Sequence, residues 1–109
     1  MVHDASCERG VLAGIYRYGV DAYLDVSDIV TTSSFFLESH QIIFKVFEFC
    51  LKDKTEVKLD LPSILSAGEA LGLSTVLSQE DNVKILRGIG NLPIKKDNVR
   101  EFAKTIRRL

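Results

Sequence analysis

The stretch SSFFLESHQIIFKVFEF, Ser33 to Phe49, holds five of the chain's six phenylalanines and one of its two histidines. Its apolar positions recur at intervals of three and four, the period of an α-helix rather than a strand. On a helical projection of residues 36–51, Phe36, His40, Ile43, Phe44, Phe47 and Leu51 share one sector, with Ile42, Val46 and Phe49 beside it. Gln41, Lys45, Glu48 and Lys52 fill the remainder. The apolar arc is about 220° wide, against the roughly 100° stripe of an ordinary surface helix. Such a helix needs cover from two directions. Either it is the centre of a bundle, or its second sector, Ile42, Val46 and Phe49, is a docking surface for another chain. Burying one Phe side chain is worth about 2–3 kcal/mol, so this helix could supply most of the core of a small domain.

Working outward, the neighbouring segments follow the same period. Ala5 to Tyr18 carries Val11, Leu12, Ile15 and Tyr16 as one stripe, with Gly10 and Gly14 four apart on it. Each glycine costs about 1 kcal/mol of helix propensity but allows another backbone to come close, and Gly19 ends the helix. Asp21 can cap a second helix bearing Ala22, Val26, Ile29 and Val30, which TTSS at 31–34 stops. The phenylalanine helix follows from Glu38 to Lys52, then a turn at KDKTE and the alternating VKLDL.

Asp60 with Pro62 opens a fourth helix whose core side is Leu61, Ile64, Leu65 and Leu71, closed by Gly72. Ser78 with Asp81 resembles a capping box for a fifth helix with Val83, Leu86 and Ile89 inward, broken by RGIGNLP. Asp97 caps a sixth, on which Val99, Phe102, Ala103 and Ile106 form an apolar face and Arg100, Lys104, Arg107 and Arg108 a basic one. No strand pairing, repeat or linker is visible. The expected fold is all-α, a compact bundle of five to six short helices in a single domain over residues 1–109.

Composition sets the limits of function. The formal net charge of −1 argues against wholesale phosphate binding, yet residues 1–94 carry 8 basic against 13 acidic side chains and residues 95–109 carry 6 against 2. The tail is basic on an acidic body. Two cysteines, Cys7 and Cys50, lie far apart without CxxC spacing, which speaks against a disulfide scaffold or a zinc site. The N-terminus is charged rather than signal-like, and no segment reaches the roughly 18 apolar residues of a membrane span. An intracellular soluble domain with no membrane partner is expected.

Chemistry-bearing patterns are missing. There is no GxxxxGK[ST], no GxGxxG after a strand, no HExxH and no carboxylate pair at acid and base spacing. His40 lies on an apolar sector without a second ligand, and is expected as a packed histidine with one hydrogen bond. No catalytic, cofactor or metal residue is assigned. The basic helix leaves three readings open: a solvated face with cations near the helix C-terminus; a phosphate-contacting patch of Lys95, Lys96, Arg100, Lys104, Arg107 and Arg108; or a helix cut at Arg108 and Leu109 that continues into another element.

Several segments, taken in order, resemble the N-terminal domain of DnaB-type replicative DNA helicases. The family's opening "E..VLG.LL" is matched by Glu8, Val11, Leu12, Gly14 and Ile15; its acidic-aromatic turn and "H..IF" by Phe35, Phe36, His40, Ile43 and Phe44. Its link and Leu-Gly turn are matched in EVKLD and ALGL, and its "N…YA…R" in Asn98, Phe102, Ala103 and Arg107. Departures are Ser33 and Ser34 in place of the acidic pair, extra residues in the link, and DNVKILRGI where the family has "GG..YL..L". They suit a diverged phage member.

The resemblance implies a non-catalytic collar above the ATP-driven motor ring of a hexameric helicase, with a helical hairpin pairing neighbouring subunits and the collar recruiting primase and helicase loader. Helix 6 would then be truncated at the start of that hairpin. ATP, Mg and strand translocation would belong to a motor domain outside this chain, DNA would be met through the parent protein, and the location would be the bacterial cytoplasm. Tentative contact residues are Ile42, Val46, Phe49, Phe102 and Ile106. The alternatives are a small DNA-binding helical module using the basic helix, or a freestanding adaptor.

Overall fold

The structure, a computed structural model, describes residues 4–52 and 58–108. The expected KDKTE turn and Val57 lie mainly outside that range. Seven α-helices are seen: α1 (Ala5–Tyr18), α2 (Val20–Val26), α3 (Glu38–Leu51), α4 (Leu61–Ala70), α5 (Ser74–Leu77), α6 (Glu80–Asn91) and α7 (Lys96–Arg108), with a 3-10 turn at Thr32–Ser34. No strand occurs among the described residues, so the all-α expectation holds, with one short helix more than the sequence suggested. The radius of gyration, 12.6 Å, matches the roughly 13 Å of a compact domain of about 100 residues.

Helix α3 packs against α1, α2, α4 and α6, and α1 is enclosed as fully. Residues Gly10 to Ile15 are buried without interruption, and α2, α3, α6 and α7 all pack on it. The reason is side-chain size. Gly10 and Gly14 leave notches on the face toward α7, where Phe102 and Val99 enter; a Cβ at Gly10 would lie 2.7 Å from the Phe102 ring, and one at Gly14 would overlap the Val99 methyls. The phenylalanine-rich helix is therefore not alone at the centre.

Helix α3 supplies the core's largest side chains. Phe44 and Phe47 are fully buried, with Ile43, Val46, Leu51 and His40 alongside. Phe35, ahead of the helix, stacks on Phe44 at a ring separation of 4.9 Å, and Tyr16 of α1 meets Phe47 at 6.2 Å. Two members of the predicted arc depart from it. Phe36 precedes the helix and is 43% exposed, and Phe49 is 51% exposed. Helix α4 packs on α3, and the described residues leave the Phe49 side of α3 half open.

Other boundaries shift for local reasons. Asp60 caps α4 by accepting from the Ser63 N–H at 2.8 Å, with Pro62 in the first turn as expected. The core stripe of α4 is Ile64, Ala67 and Gly68; Leu61 and Leu65, expected inside, are 54% and 51% exposed. Gly68 admits Leu77 of α5 so closely that the stripe turns toward that side. Ser78 does not cap the next helix. Its hydroxyl donates to the Ser74 carbonyl at 2.8 Å and closes α5, while α6 starts after Gln79. Gly88 and Gly90 do not break α6, which runs through Asn91; Leu92, directly before Pro93, turns extended instead. Gly72 takes φ +74° at the end of α4, a left-handed conformation glycine adopts without strain.

Candidate interaction surfaces

Three places concentrate chemistry, beginning with a buried polar centre. Glu8 of α1 is 1% exposed and His40 of α3 is fully enclosed. The Glu8 carboxylate accepts from the Phe36 N–H at 3.0 Å and the Leu37 N–H at 3.4 Å, and lies 2.7 Å from His40 Nδ1. One carboxylate thus takes the N–H groups of the two residues just ahead of α3 and fixes the imidazole. His40 is a packing residue with one hydrogen bond, as expected, and among the described residues its Nε2 finds no partner. The role of Glu8 was invisible to periodicity, because a glutamate in a first helical turn reads as a solvated charge; only its match to the opening "E" of "E..VLG" singled it out.

The second place is the basic helix. Its apolar face is spent within the chain: Val99 and Ala103 are fully buried, Ile106 is 4% exposed, and Phe102 lies against Gly10. Its basic flank faces α2. Lys96 Nζ stands 3.7 Å from Asp21, and Arg100 meets both Asp28 oxygens at 3.2 and 3.3 Å while donating to the main-chain carbonyl of Asp25. Lys104 pairs within α7, 3.4 Å from Glu101. The Arg100 hydrogen bond, with a weaker contribution from Arg107, holds the Asp28 carboxyl below the usual carboxylate range. Of the six cations named as a phosphate-contacting patch, Lys95, Arg107 and Arg108 show no ion pair among the described residues. They point outward at an exposed surface.

The third place is apolar surface. Phe49 on α3 and Leu61 and Leu65 on α4 are each about half exposed, as are Leu24 on α2 and Phe36. Of the tentative contact residues, Phe49 is exposed while Ile42 and Phe102 are partly buried against the core. Val46 and Ile106 are inside it. Leu61 and Leu65 were missed as surface because an i, i+4 leucine pair reads as core.

The thiols are separate and unactivated. Burial and a hydrogen bond to Asp4 push the Cys7 thiol up to about 11, and burial raises Cys50 as well. Among the described residues no group of three or more His, Cys, Asp or Glu side chains could hold a metal ion, and no described helix is long and apolar enough to cross a membrane.

An all-α domain built on a glycine-notched helix, with its polar centre buried and its contact surfaces outside, is the class of protein these features define. Residues 1–108 match the family model described as the DnaB-like helicase N terminal domain, and the chain belongs to that family. No curated protein and no solved structure matches it.

Proposed function

We propose that this domain is the non-catalytic collar of a hexameric, ATP-dependent replicative DNA helicase, acting in subunit association and in docking primase or helicase loader during DNA replication. The observation that carries the reading is the family match over residues 1–108. ATP and Mg would be handled by a motor domain joined to it, DNA would be met through that assembly, and the setting would be the cytoplasm. The exposed Phe49, Leu61 and Leu65 support a role in association, since the described residues leave about half of each of these apolar side chains on α3 and α4 uncovered.

Sedimentation equilibrium from micromolar to near-millimolar concentration, with titrations of purified primase and loader, tests this directly. Self-association or binding of either protein, weakened by Phe49→Asp or Leu65→Asp, is expected. A strictly monomeric domain that binds neither protein rejects the collar role. The competing DNA-module reading is weakened by the pairing of Lys96, Arg100 and Lys104 with carboxylates.

A further inference from the structure

We propose that the acidic edge of α2 is an internal phosphate mimic, lying on the cationic flank of α7 and holding it closed to nucleic acid. Lys96, Arg100, Lys104 and Arg107 are spaced by four, four and three residues, so they form one row along α7 with about 5–6 Å between successive cations. A row of lysine and arginine along one helix flank is the chemistry that neutralises a polyphosphate backbone. On α2 and the residue pair after it, Asp21, Asp25 and Asp28 repeat at four and three, the same helical period.

The two rows meet in chain order. Asp21 faces Lys96 at 3.7 Å, and the Asp28 carboxylate takes Arg100 through both oxygens at 3.2 and 3.3 Å, the fork geometry an arginine also offers a phosphate. Asp25 contributes its main-chain carbonyl to the same guanidinium.

These contacts do not hold α7 in place. Val99, Ala103 and Ile106 do so from inside the core, whereas the Lys96 and Asp21 side chains are 52% and 71% exposed and those of Arg100 and Asp28 37% and 62%. Ion pairs so open to water are individually weak and exchange readily. The carboxylates can therefore be lost, or displaced by a stronger polyanion, without the helix leaving its seat. Masking of this kind lowers affinity rather than abolishing it.

The inference does not rest on the collar reading, and either can fail alone. The probe is fluorescein-labelled oligo(dT) of about 20 nucleotides, followed by anisotropy at low salt. Asp21→Asn with Asp28→Asn is expected to bind roughly three- to tenfold more tightly than the unmodified chain, with a salt dependence steeper by about one to two phosphate contacts. Both sites are exposed, so a cooperative melt should persist; Asp28→Asn alone is the fallback and should show a smaller gain. Adding Arg100→Ala should remove the gain. The charge-matched pair Glu69→Gln with Glu80→Gln, placed on α4 and α6, should change affinity less than twofold. Equal binding by the unmodified and Asn-substituted chains, or an equal gain from the matched pair, overturns the proposal.

Discussion

Val99 of α7 is seated where Gly14 of α1 has no side chain, and the two positions cannot both carry bulk. This seat, with Phe102 against Gly10, fixes the C-terminal helix to the centre of the domain. It also separates the glycines of the chain into those that are needed and those that are not.

Gly14→Ala should destabilise the domain by about 1–3 kcal/mol, because overpacking at Val99 outweighs the helix-propensity gain of about 1 kcal/mol. Gly88 has nothing within 4 Å of an added Cβ, so Gly88→Ala, the same change on α6, should stabilise by about 0.5–1 kcal/mol. Urea unfolding of both variants checks the opposite signs. Gly14→Ala combined with Val99→Ala should be less damaging than the two single effects added, as expected for residues in contact.

Those glycines also mark what a sequence can say. Gly10 and Gly14, four apart on an apolar stripe, announced a close approach, and α1, α3 and the Asp60 cap were legible to within a residue because caps and the 3.6 period are local. That α1 would be enclosed as fully as α3 was not local. It depended on how Val99 and Phe102, some ninety residues away, fill two notches, and periodicity carries no such information. The exposure of Leu61 and Leu65 was hidden for the same reason: their spacing shows an apolar flank but not whether anything covers it. The basic row on α7 was legible, while the carboxylates facing it on α2 were not.

Removing the carboxylate of Glu8 should be among the most damaging single changes. Glu8→Ala removes the acceptor of the part-buried Phe36 and Leu37 N–H groups and leaves the enclosed His40 imidazole without its Nδ1 partner. Leaving a buried polar group without its partner costs about 1–3 kcal/mol. Glu8→Gln keeps an acceptor oxygen and should cost less. A cycle with His40→Ala, read from denaturant midpoints, should return a coupling energy well above the few tenths expected of distant sites; an additive result would mean that the contact is not a unit.

The thiol of Cys7 should behave as an inert one. With its pKa pushed up to about 11 from an ordinary 9.0, almost no thiolate exists near neutrality, and thiolate is the reactive form. Iodoacetamide at pH 8 should therefore modify Cys7 far more slowly in the folded chain than in urea. The linkage has a definite sign. The folded state keeps its proton where the unfolded state has lost it, so this contribution is fully present below about pH 9 and is lost as the pH rises toward 11. Thermal melts should fall over that window, and fall less in Cys7→Ser.

Two phenylalanines on one helix separate folding from contact. Phe44 is fully buried between Phe35 and Tyr23, so Phe44→Ala should cost about 3–5 kcal/mol and drag every other property down with it. Phe49 is half exposed on the same helix, and Phe49→Ser should move stability by no more than about 0.5 kcal/mol. Whatever Phe49→Ser does to self-association or partner binding can then be read without correction for unfolding. A loss of association at unchanged melting temperature would place the contact on the outer sector of α3. A large loss of stability would instead show that Phe49 is tied to the core more tightly than its exposure indicates, and would move the search for the contact surface to Leu61 and Leu65 on α4.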